Sequence, residues 1–99
     1  MVVVLIVENA PRGLRGELSR WLIEPKAGVF VGNVSALVRD RLWERLCREA
    51  APVSGLLIVG ARTEQKFSIR VHGDPSRDIV EVEGLQLVRV KTEAKHKRR

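Results

Sequence analysis

The side chains best suited to chemistry lie near the start of the chain, just after its first apolar run. That run, MVVVLIV, ends at Glu8, and Pro11 then opens a helix with Arg12 and Arg15 in its first turns. Guanidinium groups bind phosphate well, and the exposed N–H groups and dipole of a helix start also favour anions. The two arginines are therefore candidate contacts for a nucleic-acid backbone, which is held by cations without reading bases.

The same residues also have simpler explanations. Arg12 and Arg15 could form a solvated helix face, which is the interpretation that spacing alone favours. Glu8 could cap the strand end or pair with one of these arginines. Trp21 and Trp43 lie on apolar stripes and are predicted to be core residues. With aromatic residues at 4% and no tyrosine, base stacking on single strands is not indicated.

The charge balance favours a polyanionic partner. Among the 99 residues, 18 Lys and Arg stand against 12 Asp and Glu, which gives a net charge of +6. The tail 91–99 (KTEAKHKRR) holds five basic residues and one acidic residue, so it supplies +4 of that charge. We expect this tail to be disordered and, as a hypothesis, to add long-range attraction to DNA. The partner would be nucleic acid or an anionic membrane surface.

Several classes of protein are excluded by composition and motif. The single Cys47 rules out an intrachain disulfide or a multi-cysteine zinc site, and His72 and His96 are isolated. The chain has no glycine-rich phosphate loop and no nucleophile elbow. The first apolar run is too short for a signal peptide or a membrane span. We expect a cytoplasmic protein that does not enter membranes.

Hydrophobic periodicity predicts the elements that position these residues. The first run is typical of a central strand buried on both faces, and the helix from Pro11 is expected to end at Pro25. A second helix is predicted from an N-cap at Asn33 to about Ala51. Its solvent-exposed side is expected to carry the ion pairs Glu44–Arg48 and Arg45–Glu49. Further strands are predicted at 27–32, 55–61, 67–71, 79–83 and 85–90, with a hairpin loop at 63–66.

This order of elements predicts an α+β sandwich with helices on one face, and a ferredoxin-like βαββαβ fold is the natural candidate. Only one clear strand lies between the helices where that fold needs two, so residues 23–32 could hold a compressed hairpin. The apolar final run LQLVRV needs an edge to pair with, as on a second subunit. The predicted divisions are a domain at 1–78, a C-terminal strand segment at 79–90 and the basic tail at 91–99.

A dense set of residues gives the chain a family resemblance. The stretch VENAPRGLRGELSRWLIEPKAGVFVGNVSALVRDRLWE resembles the CRISPR-associated Cas-two family, in the variety of type I-E systems. The resemblance covers about residues 1 to 90 and not the tail. Its elements are Glu8-Asn9, Pro11, Leu14-Arg15-Gly16, Trp21-Leu22, the run AGVFVG, Val34-Ser35-Ala36, Arg39, Trp43-Glu44, Gly84-Leu85 and Leu87-Val88.

The resemblance implies a ferredoxin-like protomer in a symmetric homodimer. The dimer would bridge two dimers of the Cas-one integrase and hold the double-stranded DNA that is inserted into the CRISPR array. The segment 79–90 would help to dock the integrase. Arg77 matches a basic position of the family and joins Arg12 and Arg15 as a DNA-binding candidate. The family pattern has arginine where this chain has Gly13 and Ser76, so Arg12 would substitute from a neighbouring position.

A catalytic alternative centres on Glu8. Many relatives carry a carboxylate at the end of the first strand, and two such groups across the dimer axis could hold Mg²⁺ or Mn²⁺ for phosphodiester hydrolysis. The chain would then be a metal-dependent nuclease of RNA or DNA, with Glu8 as both the metal ligand and the catalytic residue. A third alternative, an RNA-binding ferredoxin-like domain, lacks the aromatic pair expected on its central strands.

Overall fold

A computed structural model describes residues 1–50, 52–61, 65–73, 77–82 and 85–90. Its nine helices and strands in these ranges are β1 (Val2–Glu8), α1 (Arg12–Ser19), β2 (Ile23–Lys26), β3 (Val29–Asn33), α2 (Ala36–Cys47), β4 (Ser54–Gly60), β5 (Phe67–His72), β6 (Arg77–Val82) and β7 (Leu85–Val90). The first seven elements run in the order βαββαββ, and the last two form a separate hairpin.

An antiparallel sheet of five strands and two helices make up the body of the protein. The strand order is β2-β3-β1-β4-β5, with β6 and β7 in a second sheet of two strands. The core lies between the helices and one face of the large sheet. It includes Leu14 and Leu18 from α1, Leu42 and Leu46 from α2, and Val3, Leu5, Val7, Phe30 and Leu57 from the sheet. The predicted α+β class is confirmed, and the architecture is compatible with a ferredoxin-like fold.

Strand β1 is central in the sheet but is not equally buried on its two faces. Val3, Leu5 and Val7 are buried against the helices, whereas Val4 and Ile6 on the opposite face are half-buried. The prediction of burial on both faces is therefore wrong for a single protomer. The side of the sheet away from the helices is only partly covered.

The segment between the helices contains the second strand that the sequence did not establish. Helix α1 ends at Ser19, not at Pro25, and β2 and β3 form a hairpin around Gly28. Pro25 lies in β2, an edge strand, where a residue without an N–H group costs no ladder hydrogen bond. Trp21 falls in the turn after α1 and is 48% exposed, so its predicted place in the core is wrong.

Helix α2 begins later and ends earlier than its sequence indicates. Its N-cap is Ser35, whose hydroxyl accepts a hydrogen bond from the Val38 N–H at 3.2 Å, and Asn33 ends β3 instead. The helix stops at Cys47, four residues short of the expected limit. Neither helix in the described part of the chain is long and apolar enough to cross a membrane.

Strands β6 and β7 confirm the predicted pair of late β-runs and attach to the edge of the large sheet. Gln86 of β7 accepts a hydrogen bond from the Ile69 N–H of β5 at 2.9 Å and donates one to the Ile69 carbonyl at 3.1 Å. Gln65 forms two further bonds with the backbone of Gln86. Residues 63–64 of the predicted loop and the tail 91–99 lie outside the described residues.

Candidate nucleic-acid interface

The start of α1 presents an exposed cation beside uncapped backbone. Pro11 occupies the N-cap position in an extended conformation, and no side chain caps the helix there. N–H groups in the first turn of a helix have no partner within the helix, so they remain available to an anion. Arg12 is exposed and forms no ion pair with the residues that the structure describes. Its position fits the predicted contact with phosphate.

Arg15, one turn further on, is held by the β2–β3 hairpin. Its Nη1 lies 2.9 Å from Oε2 of Glu24, and the same oxygen accepts the Gly28 N–H at 2.8 Å. One carboxylate therefore ties the helix to the turn of the hairpin. Gly28 is required at that turn because its φ is +83° and a Cβ atom would lie 2.6 Å from the Val7 carbonyl oxygen.

Arg15 and Gly28 line an open depression of about 380 Å³ next to the end of β1. Asn9 turns the chain there with a φ of +62°, and its side-chain amide donates to the Pro52 carbonyl at 3.3 Å. The depression is wide and shallow, as suits a surface that follows a backbone and not an enclosed small-molecule pocket. Its lining residues are Val7, Asn9, Ala10, Arg15, Ala27 and Gly28.

Glu8 lies at the end of β1 on the partly open face of the sheet. Its Oε1 accepts a hydrogen bond from the hydroxyl of the buried Ser54 at 3.3 Å. Mg²⁺ prefers several oxygen ligands in octahedral geometry. Among the described residues, no group of three or more acidic, histidine or cysteine side chains could hold a metal ion. The donors that one protomer places here therefore do not fit a complete metal site.

The remaining DNA-binding candidate, Arg77, begins a different element of the fold. Its backbone begins β6 and pairs with Val90 across the late hairpin, and its side chain is not among those described. The structure thus brings Arg12 and Arg15 together at the start of α1. It places Arg77 on a different element.

Two residues given no special chemistry by the sequence lie at the contact of α2 with β5. His72 ends β5, and its ring meets that of Trp43 edge-on at 6.4 Å between centroids. Trp43 is half-buried against the core, as predicted. Burial raises the pKa of the Cys47 thiol, which makes it a weaker nucleophile at neutral pH. Trp43 and His72 thus pack α2 against β5.

The arginines on the outer face of α2 are functional candidates that sequence reasoning missed. Arg41, Arg45 and Arg48 line an open surface cavity of about 290 Å³ together with Glu17 and Glu44. Their spacing indicates only a solvated face with two ion pairs. Of those pairs, Arg45–Glu49 is present and Glu44–Arg48 is not among the ion pairs of the described residues.

A second set of charges, on another side of α2, pairs within the fold. Arg39 is largely buried and its Nε lies 2.9 Å from Oδ1 of Asp40, with Arg70 of β5 at 3.9 Å from the same oxygen. The hydrogen bond from Arg39 lowers the pKa of Asp40, with smaller contributions from the charges of both arginines. These residues join the helix to the sheet edge.

One comparison with known proteins places the chain in a family. The family model described as CRISPR-associated protein (Cas_Cas2CT1978) matches residues 1–87. The match includes the start of α1, the β2–β3 hairpin, α2 and most of the late hairpin. It covers every residue of the interface described above.

Proposed function

The chain belongs to the CRISPR-associated protein family Cas_Cas2CT1978, and from this membership we propose that it is an adaptor in spacer acquisition. Two copies form a dimer that bridges two dimers of the Cas-one integrase and holds duplex DNA by its backbone. The chain resembles the type I-E variety of the family. The observation that carries the proposal is the exposed Arg12 at the start of α1, beside backbone N–H groups that no side chain caps.

The start of α1 supports the DNA-binding part of the proposal. Arg12 is exposed beside uncapped backbone N–H groups, and Arg15 lies at the rim of the depression, where it pairs with Glu24. Such contacts position a duplex without reading its sequence, as an adaptor for foreign DNA of any sequence requires. In a symmetric dimer each contact occurs twice, so a moderately charged body can follow a duplex.

The open face of the sheet supports the dimer. Val4 and Ile6 of β1 are half-buried there, and Ile23 of β2 is 69% exposed. Phe67 and Val71 of β5 are also exposed. An apolar sheet face of this kind is stable in water when a second layer covers it, and a second copy would supply that layer.

The late hairpin supports the docking of the integrase. The Gln86 side chain fixes β7 to β5 through both polar groups of the Ile69 backbone. Leu85, Leu87 and Val88 nevertheless remain exposed. A hairpin that is fixed to the sheet and exposes apolar side chains can pair with a strand of a partner or pack into a groove on it.

Glu8 is assigned a structural role in this proposal. Its hydrogen bond to Ser54 joins the ends of β1 and β4, next to the proposed dimer axis. The chain would then bind and orient DNA while the integrase performs the strand transfer. No catalytic step is assigned to this protein.

The proposal is tested by assembling the complex from the purified full chain, the cognate integrase and a short duplex. Sedimentation or light scattering should give one dimer of this chain with two integrase dimers, and the duplex should increase the yield of that complex. A monomer at micromolar concentration, or an integrase that does not co-elute, would contradict the adaptor role. Leu87→Gln, compared with Arg70→Gln outside the hairpin, should weaken the complex with the integrase selectively.

A further inference from the structure

Three arginines lie on the same, outer face of α2. Arg41, Arg45 and Arg48 are spaced four and three residues apart, which places them on one side of a helix. Arg41 and Arg48 are exposed, and neither forms an ion pair within the part of the chain that the structure describes. Their charges are not needed to hold α2 against the sheet, because Leu42 and Leu46 bury the opposite side of the helix in the core.

Arg45 links this face to the start of α1. Its Nη2 lies 3.6 Å from the position that a Cβ atom would take on Gly13. A guanidinium group from α2 therefore lies beside Gly13 in the first turn of α1, and Gly13 directly follows Arg12 in the chain. Arg45 of α2 thus lies beside the helix start that carries Arg12. The other partner of Arg45 is Glu49 on its own helix.

We propose that Arg41, Arg45 and Arg48, which we name the α2 arginine line, bind successive phosphates of a nucleic-acid duplex as an extension of the contact made at α1. This inference rests on the proposed function and adds a second helix to the DNA-binding surface. Seven residues of helix span about 10 Å, and phosphates advance about 3.4 Å per base pair along each strand. A line of this length covers the axial rise of about three phosphates on one strand when α2 lies along the duplex axis.

The nearby carboxylates define the kind of partner. Glu17 and Glu44 line the same cavity, and Glu49 pairs with Arg45, so the local excess of positive charge is small. A single phosphate group would gain little from such a mixed surface. A duplex has a dense and regular line of charge and can engage Arg12 and the α2 arginine line together, so it gains from all of them.

The test is the salt dependence of duplex binding by the full-length protein. Arg41→Gln combined with Arg48→Gln should reduce the slope of log K against log salt by about 1.8 per protomer engaged, at about 0.9 for each phosphate that is no longer neutralised. The matched control combines Arg20→Gln with Arg70→Gln. It removes the same charge from arginines that are only loosely paired, at 3.7 and 3.9 Å, outside the line. Circular dichroism checks that both variants are folded.

The outcomes separate this inference from the proposed function. A slope reduced in the Arg41/Arg48 variant and nearly unchanged in the control supports the α2 arginine line. Equal changes in both variants show a general effect of net charge and overturn it. A wild-type slope in the Arg41/Arg48 variant, with a slope lowered by Arg12→Gln, overturns this inference alone. Failure of the wild type to bind a duplex overturns both this inference and the proposed function. If the Arg41/Arg48 variant binds the duplex normally but no longer binds the integrase, the α2 arginine line contacts an acidic protein surface instead, and the inference is overturned.

Discussion

The ion pair between Arg15 and Glu24 gives a prediction that a double-mutant cycle separates from a general effect of charge. Binding of a phosphate by Arg15 must compete with Glu24, whose Oε2 lies 2.9 Å away. The exposed fraction of the side chain is 38% for Arg15 and 25% for Glu24, so solvent partly screens the pair. It therefore contributes only about 0.2–1 kcal/mol to the free energy of unfolding. Glu24→Gln removes the competing charge but keeps an oxygen for the Gly28 N–H. Duplex binding should therefore become about 1.4- to 5-fold tighter, which is the same free energy expressed as a ratio.

The measurement is fluorescence anisotropy with a labelled duplex at fixed salt, together with urea unfolding. The free energy of unfolding should fall by no more than about 1 kcal/mol, so the gain in affinity would coincide with a small loss of stability. A double-mutant cycle gives the control, because Glu24→Gln should lose most of its effect in an Arg15→Gln background. Unchanged or weaker binding by Glu24→Gln would refute the reasoning, since it would mean that Arg15 does not contact phosphate or needs Glu24 to do so.

Three further predictions concern the elements that support the site. Gly28→Ala should lower the free energy of unfolding by about 1–3 kcal/mol in urea, because of its positive φ and the close Val7 carbonyl; wild-type stability would contradict this. Ser35→Ala removes the N-cap of α2 and should cost about 1 kcal/mol by the same assay, with Ser19→Ala, an exposed serine without a capping role, as the control. The pKa of Asp40 is lowered by Arg39, so its stabilising effect is present above the ordinary aspartate pKa and is lost as pH falls through the lowered one. The stability difference between wild type and Asp40→Asn should shrink on acidification, and a constant difference would contradict the assignment.

The parts of the fold that the sequence predicts well are those fixed by strong periodicity. Leu14 and Leu18, four residues apart, lie on the buried stripe of α1, and Leu42 and Leu46 repeat that spacing in α2. The late strands are also predictable because their apolar runs are bounded by turn residues. These signals depend on local pattern, which tertiary contacts do not override here.

The errors arise where tertiary context decides between local alternatives. Pro25 resembles a helix stop in the sequence, but it is accommodated in an edge strand whose N–H side needs no partner. Trp21 continues the apolar stripe of α1 in sequence, yet the helix ends before it, so the stripe does not extend to that position. Asn33 and Ser35 are both good N-caps, and the sheet register extends β3 through Asn33.

The candidate site is predictable only in part. Arg12 and Arg15 follow a proline that marks a helix start, which is a local signal. The contact of Arg45 with Gly13 depends on how the two helices pack, and residues so far apart in the chain give no local signal of it. The arginines of α2 therefore resemble an ordinary solvated face until the start of α1 is placed beside them.

The central claim is that this chain holds DNA for a partner that performs the chemistry. It is tested most directly by an integration assay with the cognate integrase and a short duplex, in which wild type is compared with Glu8→Ala. The account predicts equal integration product from the two proteins, provided that both are folded dimers. Loss of product by a Glu8→Ala variant that still dimerises and binds the integrase would contradict it, because the strand-end carboxylates would then take part in the reaction.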